Sequence, residues 1–152
     1  MNPGIHRASV ADIEELLPLV RAYWDFEQVA GFEKENVRRS LRELFSNRSL
    51  GLGLVCRDNS DQLVAYLLGV FVFSLEHLGL TAEIDELFVA EGHRSAGLGR
   101  KLLLAAEKEF TRLGCTNVSL QVARDNDAAR RFYQGSGYAD RPAFGLMEKD
   151  LR

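Results

Sequence analysis

The sequence predicts a mixed α/β fold, a mixed sheet flanked by helices, and three observations carry that expectation. Apolar residues recur at helical spacing in some stretches and alternate or run continuously in others. The two kinds of stretch are interleaved along the chain, giving the order β-αα-βββ-α-β-α-β(β). Length and composition fit: 152 residues, 46% hydrophobic and 27% charged, describe one globular domain with no internal repeat, linker or low-complexity tract. Disordered, collagen-like and coiled-coil chains are excluded by the same numbers.

Residues 4–8 form a short extended start. Ser9-Val10-Ala11-Asp12 then has the form of a capping box, in which a serine and an acid three residues on satisfy orphan N–H groups at a helix start. Ile13, Leu16, Leu17, Val20, Tyr23 and Trp24 follow at helical spacing, with Pro18 expected to kink the helix because it lacks an N–H. Val37, Leu41, Leu44 and Phe45 mark a second helix over residues 33–45. The β-rich runs 50–57 and 62–73 flank Asp58-Asn59-Ser60-Asp61, a tetrapeptide of turn formers, and read as a hairpin. Residues 82–90 are a further strand. Residues 97–113 are a helix with an apolar face of Leu98, Leu102, Leu103, Ala106, Phe110 and Leu113, ended by Gly114 as a C′ glycine. A strand is expected at 116–123, a short helix at 126–134, and closing β segments at Tyr138 and 143–151.

A formal charge of −3 supplies no broad basic field, which disfavours nucleic acid as the main partner. The longest apolar run, 63–75, is too short for a transmembrane helix and suits a buried strand, so no membrane association is expected. Cys56 and Cys115 belong to no CxxC or Cys/His cluster, and with no secretory leader in view the expected location is the cytoplasm. Neither stands in a cationic turn that would favour a thiolate nucleophile. No metal set is present in the sequence. His93 is expected to be an exposed loop residue, although it adjoins the glycine turn described next.

Two stretches carry chemistry. Leu87-Phe88-Val89 leads into Arg94-Ser95-Ala96-Gly97-Leu98-Gly99-Arg100 and an amphipathic helix. A strand entering a glycine turn at a helix N-terminus aims backbone N–H groups and the positive dipole end at one spot, an anion site for which phosphate is the natural guest. A GxG by itself reads more simply as a plain strand-to-helix turn; its placement is what points further. It is neither the dinucleotide GxGxxG, since Leu102 occupies the third glycine position, nor a P-loop. The second stretch is Asn126 to Tyr138. Asn126 and Tyr133 are two helical turns apart, with Ala129 between them keeping that face shallow. Taken singly, Asn126 reads as a helix cap and Tyr133 as core.

Arg94-x-x-Gly97-x-Gly99 after a strand, with Asn126-x-x-Ala129-x-x-x-Tyr133 and Gly137-Tyr138, resembles the GNAT superfamily of acyl-CoA-dependent N-acetyltransferases. Arg7-x-Ser9 with Asp12-Ile13 and the element order extend the resemblance over the whole chain. Two features depart from the usual pattern: Ala90-Glu91-Gly92-His93 lacks the proline often found there, and Ser95-Ala96 replaces glycine and basic residues. The resemblance implies a mostly antiparallel sheet of six to seven strands with about four helices, in a single domain spanning 1–152. It also implies acetyl-CoA as the acyl donor. The pyrophosphate would lie on the backbone of Arg94, Ser95, Ala96, Gly97, Leu98 and Gly99, with the side chains of Arg94, Arg100 and Lys101 adding charge, and the main chain of Phe88 and Val89 would pair with the pantetheine arm. A backbone N–H near Val89 would polarise the thioester. Asn126 and Ala129 would line the pantetheine or amine region, and Tyr133 would protonate the departing thiolate.

For the general base the candidates are Glu83, Asp85 and Glu86. Alternation puts Glu83 and Asp85 on one face and Glu86 on the other unless a bulge intervenes, as the family often has in this strand. Histone-type members carry a glutamate at the position of Glu83 and diamine-type members an acid at that of Asp85. Exposed edge charges are an equal reading of the cluster. In this fold the end of the first helix borders the acceptor pocket, so Tyr23, Trp24 and Phe26 fit either its wall or the core, core being the simpler for Trp24. The expected reaction is direct transfer from acetyl-CoA to a primary amine of a small cationic molecule such as a polyamine or aminoglycoside. The alternatives are a protein or peptide N-acetyltransferase and a non-catalytic acyl-CoA sensor. A homodimer is compatible with the free edge beyond Tyr138.

Overall fold

A computed structural model describes residues 4–152. Its elements are β1 (Gly4–Arg7), α1 (Ile13–Phe26), α2 (Lys34–Ser46), β2 (Gly51–Arg57), β3 (Leu63–Ser74), β4 (Gly79–Val89), α3 (Leu98–Arg112), β5 (Val118–Leu120) and α4 (Asp127–Gln134), in the expected order. Two compact units divide the chain, one ending at Gln121 and the other running from Val122 to Arg152.

The first unit holds one sheet in the order β1-β2-β3-β4-β5. The first three pairings are antiparallel and β4–β5 is parallel. The Asp12 carboxylate accepts from both the Ser9 N–H, at 2.8 Å, and the Ser9 hydroxyl, at 3.1 Å. That cap opens a 3-10 turn over Val10–Asp12, and α1 follows directly with Pro18 inside it. Ile13, Leu16, Leu17 and Val20 of α1 pack with Val37 and Leu41 of α2 against Val55, Tyr66, Leu68 and Phe88. On the opposite sheet face Phe110 of α3 lies against Phe71, and a Cβ added to Gly69 would fall 2.5 Å from that ring. Residue parity along β3 separates the two cores, since Tyr66 and Leu68 point one way and Gly69 and Phe71 the other. Gly114, at φ +86, ends α3 as expected: its N–H donates to Thr111 O and that of Cys115 to Phe110 O, the Schellman pattern.

Two strand expectations are corrected. The strand expected over 116–123 shrinks to Val118–Leu120, because its ladder reaches only Ala82–Ile84 of β4 and the next β4 residue is bulged out of register. The closing β segments at Tyr138 and 143–151 do not form, so five strands are present among the described residues instead of six or seven. Within the second unit the Tyr138 N–H donates to Tyr133 O, completing a Schellman end to α4 with Gly137, so Tyr138 belongs to a helix terminus. Phe144, Leu146, Met147 and Leu151 stay exposed, so no buried face selects a strand register there.

Candidate functional site

β4 changes character half-way. From Ala82 to Ile84 it is paired on both sides, with β3 and with β5. From Glu86 to Val89 it is paired with β3 alone. The register steps from Gly69↔Ile84 to Leu68↔Glu86, so Asp85 has no partner and forms a β-bulge. Beyond it, Ala90 N–H donates to Val64 O, and antiparallel alternation then turns the N–H and C=O of Val89 and Leu87 away from β3. Neither amide has a backbone partner among the described residues. An open row of N–H groups therefore runs along Leu87 and Val89, the Val89 carbonyl being taken by Arg94, whereas the backbone of Phe88 is spent on β3 and its ring is buried in the α1 and α2 core.

The bulge also reassigns the carboxylates. Glu83 stands opposite Val70 and Glu86 opposite Leu68, two residues apart on β3, so these two share the α1 and α2 face, contrary to simple alternation. Glu83 accepts a hydrogen bond from Gln121 Nε2 at 3.1 Å. Asp85 is exposed on the bulge, yet desolvation, with Glu83 as a like charge, holds its carboxyl above the usual range. Glu86 uses both oxygens, accepting from Trp24 Nε1 at 2.9 Å and from Tyr66 Oη at 2.7 Å. Desolvation pushes Glu86 up despite those two bonds, and burial beside the Glu86 carboxylate pushes Tyr66 far above its ordinary value. No Lys, Arg or His among the described residues makes an ion pair with any of the three acids.

After β4 a 3-10 turn, Glu91–His93, leads to the glycine turn. Ser95 and Gly97 adopt left-handed conformations, at φ +70 and +74, on either side of Ala96. A Cβ on Gly97 would meet nothing within 4 Å, so its constraint is the dihedral and not space. Residues 94–97 are exposed, Leu98 anchors α3 in the core, and Gly99 is half-buried. No acidic residue occupies the first turn of α3, where Arg100 and Lys101 are exposed. The first N–H groups of a helix lack internal acceptors, so this turn presents donors to an anion. Arg94 is placed differently from expectation. Its Nε donates to Val89 O at 3.0 Å, and its guanidinium lies 5.2 Å from the Phe26 ring centroid and 5.3 Å from that of Phe88. Its side chain therefore braces the end of β4, leaving Arg100 and Lys101 as the basic patch. His93 is half-exposed: Nε2 lies 3.4 Å from Asp58 and Nδ1 is buried without a partner. Burial pushes both Cys56 and Cys115 thiols up, away from thiolate character.

In the second unit Asn126 caps α4, its Oδ1 accepting from the Ala129 N–H at 3.1 Å. Tyr133 lies on the same helix, its ring edge-on to Phe132 at 5.0 Å and to Tyr138 at 5.7 Å. An Arg130–Asp140 pair at 2.8 Å ties the helix to the chain that follows it.

A model of the acetyltransferase (GNAT) family matches residues 14–138, most of the chain and both units. The chain belongs to the GNAT acetyltransferase family. Among its relatives is a spermidine N(1)-acetyltransferase of Thermoplasma acidophilum, 27% identical over 98% of this chain and 98% of the relative. The fold is shared with an aminoglycoside antibiotic 6'-N-acetyltransferase of Acinetobacter baumannii, at TM-score 0.79 and 18% identity over 98% of this chain and 99% of that one. A ribosomal-protein-alanine N-acetyltransferase of Brucella melitensis shares it at TM-score 0.72 and 16% identity, covering 98% of each chain. The protein is thus a GNAT acetyltransferase, and enzymes of this family use acetyl-CoA.

For this GNAT enzyme, two participants escaped the sequence reading: Tyr66, and Trp24 as a hydrogen-bond donor. A signal existed for the first. Tyr66 lies in a continuous apolar run, where a buried phenol needs an acceptor, and Glu86 supplies it. A cavity of about 300 Å³ lined by Ile5, Arg7, Leu54, Lys108 and Glu109 contains none of the predicted site residues.

Proposed function

We propose that the enzyme moves an acetyl group from acetyl-CoA to a primary amine of a small cationic molecule, of the polyamine or aminoglycoside kind, by direct attack in a ternary complex. The observation that carries this reading is the set of three carboxylates around the bulge of β4, Glu83 just before it and Asp85 and Glu86 on the open half, none ion-paired with a cation among the described residues. Uncompensated negative charge is costly unless a cation arrives, and an alkylammonium is the cation an amine acetyltransferase receives. The spermidine and aminoglycoside acetyltransferases related by sequence or fold are consistent with such an acceptor.

The left-handed pair Ser95 and Gly97, the donor-rich start of α3 and the absence of an acid there fit a pyrophosphate. The backbone of Arg94 to Gly99 would hold it, with Arg100 and Lys101 nearby. Bound acetyl-CoA supplies an activated thioester. Leu87 and Val89 offer main-chain pairing to the pantetheine arm, and the Val89 N–H, turned outward, donates to the carbonyl oxygen of the thioester. Phe88, whose amide faces β3, supports that edge from within the core. Asn126 and Ala129 line the pantetheine region in this reading, Asn126 by the atoms its cap leaves over.

Asp85 is assigned as the general base. It alone of the three acids has no hydrogen-bond partner among the described residues, and its raised carboxyl suits proton acceptance nearer neutrality. It would take a proton from the ammonium; the amine nitrogen would then bond to the acetyl carbon as the C–S bond breaks, Tyr133 would supply a proton to the leaving sulfur, and the second proton shed by the nitrogen as the amide forms would restore the Tyr133 phenol. Glu83 draws in the second positive charge of a polyamine. A single domain spanning 1–152 is part of this reading, and the family match includes residues of both units. The reading places the enzyme in the cytoplasm, in keeping with its two unpaired thiols.

A thiol-release assay with acetyl-CoA and a panel of polyamines, aminoglycosides and peptides tests it. Release of free CoA with the di- and polycationic amines is expected. Release with peptides alone, or with no amine, contradicts it.

A further inference from the structure

Glu86 is the most committed carboxylate in the molecule that makes no ion pair. One oxygen accepts from the Trp24 indole and the other from the Tyr66 hydroxyl, so a single side chain joins α1, β3 and β4. Its partners differ in kind. Tyr66 is fully buried and fixed in the core, with Tyr23 and Phe88 against its ring. Trp24 is half-buried in the last turns of α1 and meets Phe32, in the connection to α2, edge-on at 5.5 Å. Arg21 closes that corner with its guanidinium 5.0 Å from the Phe32 ring centroid. The α1–α2 corner is therefore tied to the sheet by a hydrogen bond at Glu86, on the face shared with Glu83 and one residue beyond the bulge.

A base must be able to receive a proton without breaking structure, and protonating Glu86 would set an O–H against one of the two donors it now serves. We infer that Glu86 is a positioning residue for the acceptor amine: through Trp24 and Tyr66 it pins the α1–α2 corner against the carboxylate-bearing half of β4. The inference rests on the amine-acetyltransferase reading above and assigns acceptor capture to this tie. Loss of the tie loosens the wall beside Glu83 and weakens amine binding, while proton removal stays with Asp85.

The chain contains one tryptophan, so fluorescence excited selectively in the tryptophan band reports on Trp24 alone. Glu86→Gln removes one of the two acceptors, and Tyr66→Phe removes only a hydroxyl while keeping the buried ring. Each protein, saturated with CoA, is titrated with spermidine while emission is followed; steady-state rates are then measured across pH. The wild type is expected to show a saturable change in emission. Both variants are expected to start from a shifted emission maximum and to need about tenfold more spermidine, the size of one hydrogen bond to a charged group. KM for the amine rises to match, while kcat, the acid limb of the pH–rate profile and the Kd for acetyl-CoA stay near wild type.

A collapse of kcat with loss of the acid limb in Glu86→Gln makes Glu86 the base and overturns the inference. Unchanged emission and unchanged spermidine binding in both variants overturn it equally. Failure of the underlying reading looks different: the wild type then acetylates no amine, while the emission shift of the variants still reads the tie.

Discussion

The two halves of β4 have similar lengths and opposite fates. Over Gly79–Ile84 the strand ends in a segment laddered on both edges, with Ala82 and Ile84 buried at 1% and 4% exposure. Over Asp85–Val89 the same strand keeps β3 but loses β5, and it carries an unpaired bulge, two desolvated acids and an outward main-chain edge. The difference teaches how a sheet makes room for chemistry. One extra residue at Asp85 ends the parallel ladder, turns Glu86 onto the face of Glu83, and leaves Leu87 and Val89 with groups to offer a ligand. In the reading proposed above, the first half contributes chiefly stability and the second carries the cofactor edge and the base.

Substitutions separate the two contributions. The largest expected effect is in the turn that follows the open half. Gly97→Val forces a β-branched residue to φ +74 and should weaken CoA binding about a hundredfold or more by calorimetry, while circular dichroism shows a folded protein. Asp85→Asn should lower kcat by about two to three orders of magnitude, the usual share of a general base. Its pH dependence has a definite sign. The carboxylate is the active form and its folded value is raised, so wild-type kcat/KM falls on acidification with a midpoint above the ordinary carboxylate value. That acid limb should vanish in Asp85→Asn. Tyr133→Phe should lower kcat by about one to two orders of magnitude with acetyl-CoA affinity retained, and full activity would remove Tyr133 from the proton path. In the closed half, Ile84→Ala should cost about 2–4 kcal/mol in denaturant unfolding and leave the Kd for acetyl-CoA nearly unchanged. If Ile84→Ala impaired binding as strongly as Gly97→Val, the division between the halves would fail.

Much of this architecture was legible in the sequence. Helical stripes, the Asp58–Asp61 turn, the Gly114 terminator and the glycine turn each follow from local chemistry, and each stands where its residues predict, within a few positions. What could not be read depends on partners distant in sequence. The bulge at Asp85 is a mismatch between β3 and β4: period-two counting alone puts Glu86 on the other face, and only the exception left open by the family resemblance accommodates where it stands. Arg94, in a glycine turn, looks like a phosphate ligand until Val89 O and the Phe26 and Phe88 rings come within its reach. Tyr138 and residues 143–151 have strand-like composition, but strands need a partner edge, and composition cannot supply one.

The central claim, that the open half of β4 receives the cofactor, is tested most directly at its amides. Residue-resolved amide exchange with and without CoA should show Leu87 and Val89 slowed about tenfold or more by the ligand, with Ala82 and Ile84 unchanged. Equal protection of both halves, or none at Leu87 and Val89, would contradict it.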